Sequence, residues 1–137
     1  MTEADKGAAG RRKRILVVDD SSLVRLYCRD LLERAGFEVD QAINGIEAME
    51  KVLAQAQAFD LAIVDVNMPR MDGLSFIRAL RRGTSPAASL PVLVVTTEAG
   101  QQDREDARAA GANFYIVKPV SEADLVRHAA ALTGAPP

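Results

Sequence analysis

The sequence predicts a doubly wound α/β domain with a five-stranded parallel sheet, and two observations support this prediction. The first is a set of short apolar runs that alternate with helical patterns, as buried parallel strands do: Ile15 to Val18, Leu61 to Val64, Val92 to Val95 and Phe114 to Val117. The second is the polar residues that end each run: Asp19-Asp20, Asp65, Thr96-Thr97 and Lys118-Pro119. Because open parallel sheets bind ligands at the carboxyl ends of their strands, we expect these side chains to converge.

The first half of the chain supplies two helices and one further strand. The first helix begins near Ser21-Ser22, which can cap it, and ends at Ala35-Gly36; its apolar positions are Leu23, Leu26, Tyr27, Leu31 and Leu32. A short strand follows at Phe37 to Asp40. The second helix extends from about Gly45 to Gln57, and its predicted inward stripe is Ile46, Met49, Val52 and Leu53.

The second half of the chain supplies three helices. The loop Met68 to Gly73 leads into the third helix, whose predicted inner side is Leu74, Ile77 and Leu80, and the connection Gly83 to Pro91 follows. The fourth helix, Glu98 to Ala110, has few large apolar residues, so we expect it to bury little surface and to be comparatively mobile. The last helix opens at Ser121 and ends near Leu132, with Asp124 placed as in a capping box.

Length and charge limit the possible function classes. A chain of 137 residues fits one domain, and we expect a flexible tail at 1–13, the folded domain at 14–133 and a short tail at 134–137. A net charge of -2 gives no reason to expect attraction to nucleic acid or to a membrane surface. The basic cluster Arg11 to Arg14 is therefore interpreted as part of a solvated tail.

The single cysteine and the single histidine suggest no site of their own. Cys28 lies within the apolar pattern of the first helix and is interpreted as a core residue. His128 has no second histidine or cysteine at ligand spacing, so we assign it to the surface or to packing. No apolar stretch is long enough to cross a bilayer and no export signal is evident, which predicts no membrane insertion and a cytoplasmic location.

The acidic residues after the first and third strands predict a metal site. Asp19 and Asp20 could instead cap the following helix, because Asp is favoured at that position. Asp65 at the end of an all-apolar strand is poorly explained by capping. Three carboxylates in one pocket require a cation, and carboxylate oxygens with a backbone carbonyl near Asn67 suit Mg²⁺.

The fourth and fifth strands predict an anion beside that cation. Thr96 could be an ordinary β-branched strand residue, but its hydroxyl can donate to a phosphoryl oxygen. Lys118 could be an ordinary exposed lysine, but Pro119 fixes the turn that aims it over the site. Tyr115 could serve packing alone, and its position on the same strand makes it a candidate reporter of the site.

Together these residues resemble the receiver domain of two-component response regulators. The matching segments are Asp19-Asp20, Asp65 to Gly73, Val94 to Ala99 and Tyr115 to Pro119. The similarity covers about Arg14 to Leu132 in order and spacing, which is more specific than any one motif. Asn67 two residues after Asp65, Glu98 two after Thr96 and Tyr115 three before Lys118 are similar to the stand-alone chemotaxis regulators of this family.

The resemblance implies a flavodoxin-like (βα)5 fold with strand order 2-1-3-4-5, and a role for each acid. Asp65 would be the phosphoacceptor. Asp20 and Asp65 would bind Mg²⁺ directly, Asp19 would act mainly through water, and the carbonyl of Asn67 would be a further ligand. We expect Mg²⁺ to be the cofactor on this basis.

The resemblance also implies a switch. Thr96 and Lys118 would hold the phosphoryl oxygens, and the Lys118-Pro119 bond would be cis. Thr96 would move toward the phosphoryl group, and Tyr115 would move into the space that it leaves. Asn67 and Glu98 would tune dephosphorylation.

The implied function is a single-domain response regulator that a histidine kinase phosphorylates. The protein would not be an enzyme in the ordinary sense, although it would assist its own phosphorylation and dephosphorylation. Its fourth helix, fifth strand and fifth helix would bind the output partner, either the flagellar motor switch in chemotaxis or another kinase.

Several alternatives stay open at this point. The protein could be a phosphorelay intermediate, or a kinase-binding regulator outside chemotaxis. A Mg²⁺-dependent phosphatase that works through an aspartyl-phosphate would need an acid two residues after the nucleophile, where this chain has Asn67. A binding module that has lost phosphorylation would lack a site residue, and none is missing.

Overall fold

The computed structural model describes residues 12–54, 58–68 and 70–135. Most of the predicted N-terminal tail, the end of the predicted second helix at 55–57, Pro69 in the predicted loop and the last two residues lie outside the described residues. Among the described residues no helix is long and apolar enough to cross a membrane.

Five parallel strands form the sheet, in the order β2-β1-β3-β4-β5, so the predicted fold and strand order are confirmed. The strands are β1 (Arg14–Val18), β2 (Glu38–Ala42), β3 (Leu61–Val64), β4 (Val92–Thr96) and β5 (Phe114–Val117). The register pairs Val18 with Val64 on β3, and Val64 in turn with Val94 on β4. This register brings the carboxyl ends of β1, β3 and β4 to one edge, where the candidate site lies.

Helices cover both faces of the sheet. They are α1 (Ser22–Arg34), α2 (Gly45–Ala54), α3 (Gly73–Arg82), α4 (Gln101–Ala110) and α5 (Glu122–Thr133), with a 3₁₀ turn at Pro86–Ser89. Local sequence explains several of their ends. Ser21 and Ser121 each accept a hydrogen bond from the backbone N–H three residues later, and Asp72 caps α3 through the N–H of Ser75. Gly111, at φ 116°, ends α4 in the left-handed conformation that glycine adopts without strain.

The core divides into one cluster on each face of the sheet. Alternate strand residues point to opposite faces, so Leu16 and Val18 pack with α2, α3 and α4, whereas Ile15 and Val17 pack with α1 and α5. β1, β3 and β4 are buried along almost their whole length, as strands covered on both faces should be. Cys28 lies in the second cluster, as predicted, and its burial raises the pKa of its thiol to about 11.

Several predicted details were wrong. β2 lies at Glu38–Ala42 and not at Phe37 to Asp40, because its register with β1 extends pairing to Ala42. Leu53 of the predicted inward stripe of α2 is 63% exposed, and the buried residues of that helix are Gly45 and Ala48. On α3, Phe76, which the prediction omitted, joins Ile77 and Leu80 in the core, and Leu74 is partly buried and packs against that core as predicted.

Two further differences concern the helices nearest the site. The three apolar residues Leu23, Leu26 and Tyr27 in the first turns of α1 are 78%, 53% and 48% exposed. The fourth helix begins at Gln101 and not at Glu98, because the backbone of Glu98 bonds to other residues.

Candidate functional site

Three carboxylates meet at the carboxyl edge of the sheet. Asp19 and Asp20 directly follow β1, and Asp65 directly follows β3 beside it. One oxygen from each of the three side chains lies within 4.8 Å of the others. Asp19 is 4% exposed and Asp65 9% exposed, whereas Asp20 faces the solvent. The predicted acidic cluster is therefore present, with two acids buried and one at its mouth.

Lys118 extends from the end of β5 into this cluster. Its Nζ lies 3.0 Å from Oδ2 of Asp19 and 3.8 Å from Oδ2 of Asp65. The following Lys118-Pro119 peptide bond is cis, as the family resemblance implies. The backbone N–H of Lys118 donates to the Thr96 carbonyl over 2.7 Å, which holds the end of β5 against β4.

The environment of Asp65 favours a cation at this position. Burial raises the pKa of the Asp65 carboxyl above its ordinary value, and the nearby charge of Asp19 raises it further. The ammonium of Lys118 and the backbone N–H groups of Val66 and Asn67 act in the opposite direction. A buried carboxyl beside a second acid gains from further positive charge, and an all-oxygen donor set fits a hard divalent cation.

Two residues that sequence reasoning missed hold Asp19 in position. The backbone N–H of Ser21 donates to Oδ1 of Asp19 over 2.9 Å, and the Arg25 guanidinium donates to the Asp19 carbonyl over 2.7 Å. Arg25 also donates to the side chain of Gln41 on β2. The position of Arg25 one turn into α1, close to Asp19, was the available signal, but it does not by itself distinguish a site residue from a solvated one.

Gly73 was also missed as a site residue. It begins α3, and a side chain there would collide with the backbone carbonyl of Asp65. The N–H of Gly73 donates to the Val66 carbonyl over 3.0 Å, which folds the loop after β3 back over the strand end. Glycine therefore lets the first turn of α3 approach the backbone of the candidate phosphoacceptor.

A second network surrounds Glu98, beside the acidic cluster. The side-chain amide of Asn67 donates to the Glu98 carboxylate over 2.8 Å. The N–H of Glu98 donates to the hydroxyl of fully buried Thr96 over 3.3 Å. The hydroxyl of Tyr115 donates to the Glu98 carbonyl over 2.6 Å. Glu98 therefore connects the residues that the sequence singled out as switch and tuning positions.

The remaining singled-out residue, His128, takes no part in this site. Its ring lies 4.9 Å from the ring of Phe114, between centroids, on the side of the domain formed by β5 and α5. Its Nδ1 lies 2.7 Å from the carbonyl of Asp124, one helical turn earlier. The structure thus confirms its assignment to packing.

Comparison with known proteins gives the same picture as the geometry. The family model of the response regulator receiver domain matches residues 15–130. The chemotaxis protein CheY1 of Helicobacter pylori (strain ATCC 700392 / 26695) is 42% identical over 107 residues, which are 77% of this chain and 85% of CheY1. The sensor protein EvgS of Escherichia coli (strain K12) is 39% identical over 114 residues, which are 83% of this chain but 9% of EvgS.

A solved structure agrees with these sequence relatives. The chemotaxis response regulator CheY4 of Vibrio cholerae is 36% identical and superimposes with a TM-score of 0.80, over 88% of this chain and 98% of CheY4. The family match, the identity to CheY1 and the shared fold show that this chain belongs to the response regulator receiver domain family, as a CheY-like member.

Proposed function

We propose that this receiver domain is a single-domain phosphorylation switch, in which Asp65 accepts a phosphoryl group from the phosphohistidine of a histidine kinase. The observation that supports the proposal most is the convergence of Asp19, Asp20, Asp65 and Lys118 at one strand edge. The CheY relatives favour a role in chemotaxis. We keep the cytoplasm as the proposed location, on the sequence prediction.

The proposed reaction is an in-line transfer to a carboxylate. An oxygen of Asp65 attacks phosphorus, the new P–O bond forms as the P–N bond to the imidazole breaks, and the imidazole keeps the electron pair and takes up a proton. Lys118 Nζ, 3.8 Å from Oδ2 of Asp65, offsets the repulsion between two negatively charged reactants. The hydroxyl hydrogen of Thr96 is available to a phosphoryl oxygen, since its oxygen accepts from Glu98.

The donor set also fits Mg²⁺ as the cofactor. We propose Asp20, Asp65 and the Asn67 carbonyl as direct ligands, and Asp19 as a residue that acts mainly through water, because Lys118 already occupies one of its oxygens. When bound, Mg²⁺ supplies positive charge that stabilises the negative oxygens of the transferred group. The three carboxylates would hold the cation at the strand edge. The hydrogen bond between Asn67 and Glu98 lies beside this position and tunes the access of water to Asp65.

The proposed output is a change of partner binding at α4, β5 and α5. The backbone of Glu98 connects Thr96 to Tyr115 by two hydrogen bonds, so a movement of Thr96 toward a phosphoryl group alters the support of Tyr115. Tyr115 in turn lies against α4, where the Arg104 guanidinium stands 5.0 Å from the centre of its ring. The flagellar motor switch or another kinase would bind this surface.

We propose that the domain does not act as a turnover enzyme. A phosphatase that works through an aspartyl-phosphate needs an acid two residues after the nucleophile, and the amide of Asn67 at that position cannot transfer protons. Asn67 instead donates to Glu98, which leaves it outside acid–base chemistry.

A phosphorelay intermediate is the second candidate. The observation that favours it is the 39% identity to a segment of the sensor protein EvgS. The two functions differ in the fate of the phosphoryl group. A relay protein passes it to a histidine phosphotransfer protein, whereas a switch holds it while an output partner binds.

The proposal is tested by incubating the protein with Mg²⁺ and acetyl phosphate and locating the adduct by mass spectrometry. We expect one acyl phosphate on Asp65, which Asp65→Asn abolishes. Asp72→Asn is the matched control, because asparagine caps a helix as well as aspartate does and the Asp72 side chain accepts from the N–H of Ser75 at the start of α3. Undiminished labelling of Asp65→Asn would refute the assignment, and rapid transfer to a histidine phosphotransfer protein would favour the relay.

A further inference from the structure

An arginine of α1, Arg25, connects the end of β1 to β2 beside the acidic cluster. Its Nη1 donates to the backbone carbonyl of Asp19 over 2.7 Å, and its Nε donates to Oε1 of Gln41 over 3.1 Å. Arg25 is half-buried, and its own backbone N–H donates to the carbonyl of Ser21 over 3.0 Å. The side chain is therefore fixed at its base by the helix and at its tip by two hydrogen bonds.

The sheet register explains why Gln41 is available to this arginine. Gln41 of β2 pairs with Val17 of β1, and side chains at paired positions point to the same face of a sheet. Val17 lies in the core cluster that packs against α1, so Gln41 lies on the face that α1 covers. Just past the end of β1, the N–H of Asp19 donates to the Ala42 carbonyl over 3.1 Å. β2 thus supports the end of β1 through its backbone and, by way of Arg25, through a side chain.

The carbonyl that Arg25 binds belongs to the peptide unit that joins Asp19 to Asp20. Because a peptide unit is planar, a donor that fixes this carbonyl also fixes the plane from which the backbone of Asp20 continues. The side chain of Asp20 is exposed and forms no hydrogen bond or ion pair with any residue that the structure describes. The position of its carboxylate beside Asp65 therefore depends on its backbone.

We propose that Arg25 is a positioning residue for the metal site, which raises the affinity of the domain for Mg²⁺ by holding the peptide unit between Asp19 and Asp20. The inference rests on the proposed function, because it concerns the cation that this function requires. Residues that orient metal ligands through hydrogen bonds typically account for about 10–100-fold in metal affinity. Gln41 supports the arginine from β2 and acts on the metal site only through it.

The charge of Arg25 opposes this role. A guanidinium beside a cation site repels the cation, and by this effect alone Mg²⁺ would bind more tightly once the arginine is removed. The bond to the Asp19 carbonyl is short and partly buried, whereas the site is open to solvent at Asp20, where water and salt screen the repulsion. We therefore expect positioning to be the larger effect, and the sign of the change in affinity distinguishes the two.

The test is the affinity of the protein for Mg²⁺, measured by isothermal titration calorimetry and by the rise of the melting temperature with Mg²⁺ concentration. We expect Arg25→Met to bind Mg²⁺ about tenfold more weakly than the wild type. Arg25→Lys keeps the charge but not the rigid fork that reaches two acceptors, so it should restore only part of the affinity.

Arg29→Met is the matched control for the loss of charge. Arg29 lies one turn further along α1 and pairs with Glu33 over 3.2 Å, so its removal takes the same charge from the same helix. This variant should bind Mg²⁺ as the wild type does.

A double-mutant cycle tests the link to β2. Gln41→Met should weaken Mg²⁺ binding by less than Arg25→Met does, because the arginine keeps its bond to Asp19. In the Arg25→Met background, Gln41→Met should have no further effect, since Gln41 acts only through the arginine.

Labelling of Asp65 by acetyl phosphate separates positioning from a general loss of structure. In Arg25→Met, the concentration of Mg²⁺ that gives half-maximal labelling should rise by a larger factor than the maximal rate falls. A disturbed fold would lower the maximal rate and leave that concentration unchanged, which would contradict the proposal.

The other outcomes also overturn the inference. Unchanged or tighter Mg²⁺ binding by Arg25→Met, an equal loss in Arg29→Met, or a further loss from Gln41→Met in the Arg25→Met background would each contradict it. The proposed function fails separately. Weaker Mg²⁺ binding by Arg25→Met without labelling of wild-type Asp65 refutes only the phosphorylation switch. Labelling with equal Mg²⁺ affinity in the wild type and Arg25→Met refutes only the role of Arg25.

Discussion

Lys118 donates its hydrogen bond to Asp19 and not to Asp65: its Nζ lies 3.0 Å from Oδ2 of Asp19 and 3.8 Å from Oδ2 of Asp65. The lysine therefore neutralises the more buried of the two acids. Asp65 is left with a raised pKa and with the less direct contact, which suits a group that must bind a new partner. An ammonium has three N–H donors, so a small movement toward Asp65 would let Lys118 bond to both acids at once.

The first prediction concerns this lysine. Lys118→Met should lower the stability of the metal-free protein by about 1–3 kcal/mol, because it leaves buried Asp19 without its cation. Added Mg²⁺ should then raise the melting temperature of Lys118→Met by more than it raises that of the wild type, because the metal no longer competes with the lysine. Thermal unfolding with and without Mg²⁺ measures both effects.

Lys51→Met is the matched control for this prediction. Lys51 pairs with Asp40 over 2.9 Å in a lysine–carboxylate contact between α2 and β2, outside the acidic cluster. Added Mg²⁺ should raise the melting temperature of Lys51→Met by as much as it raises that of the wild type. If Lys118→Met and the wild type gain the same increment, Lys118 does not occupy the cation-binding region.

The second prediction concerns Asp65, the proposed phosphoacceptor. Asp65→Asn should melt a few degrees higher than the wild type in the presence of a metal chelator, because burial and the charge of Asp19 both oppose ionisation of Asp65. Added Mg²⁺ should reverse the order, since the metal stabilises the wild type through mass action and the variant lacks a ligand. Identical melting of the two proteins in chelator would mean that Asp65 is better paired than its surroundings indicate.

Most of the fold could be predicted from the apolar pattern. The bounds of β3 and β5 match their runs, because each run is bordered by polar or turn residues on both sides. β2 was misplaced because its pairing with β1 continues through Gln41 and Ala42, which carry no strand signal. Leu53 was misassigned to the core because the helical period alone does not tell which positions a neighbouring element covers.

The candidate site could be predicted in its members but not in its contacts. Strand ends identify Asp19, Asp65, Thr96 and Lys118, since the carboxyl edge of a parallel sheet collects them. Lys118 Nζ lies closer to Asp19 than to Asp65 by less than one ångström. A difference of this size depends on the exact placement of β1, β3 and β5, which a sequence pattern does not predict. The start of α4 at Gln101 could not be predicted either, because the Glu98 backbone bonds to the side chains of Thr96 and Tyr115, which competes with helix formation.

The third prediction concerns the loop between β3 and α3. Arg70 has a φ of 69°, a conformation that costs free energy for most side chains and less for asparagine. Arg70→Asn should raise the free energy of unfolding by about 1 kcal/mol, measured by chemical denaturation. Arg70→Ala should not raise the free energy of unfolding, because alanine is as disfavoured at a positive φ as arginine is. An equal increase in both variants would mean that the loss of the arginine side chain, and not the backbone conformation, causes the effect.

The fourth prediction concerns the pH dependence of Tyr115. Burial raises the pKa of its hydroxyl above the ordinary value, the charges of Asp103 and Glu98 add to this, and Arg104 opposes it. The folded protein therefore holds this proton more tightly than the unfolded chain, and stability should fall as pH rises above about 10, the unfolded pKa. In Tyr27→Phe, Tyr115 is the only tyrosine, so ultraviolet absorbance reports it alone. Titration at or below the value in urea would contradict the prediction.

The fifth prediction concerns coupling between the acidic cluster and α4. A bulky residue such as Thr96→Ile should block the proposed movement and weaken partner binding, and should leave phosphorylation partly intact. Because Thr96 is fully buried, Ile also strains the core, so Thr96→Val is the sharper variant. It removes the hydroxyl that accepts the hydrogen bond from the Glu98 N–H without added bulk.

Hydrogen exchange with and without beryllofluoride measures this coupling. In the wild type, the fourth helix should change most, because it has few large apolar anchors, and the change should extend over residues 98–115. Thr96→Val should lose most of it, whereas Thr97→Val, a neighbouring exposed threonine, should keep it. Should the wild type respond only around Asp19, Asp65 and Lys118, the route through Glu98 to Tyr115 carries no signal, and a simple phosphoryl carrier becomes the better description of this domain.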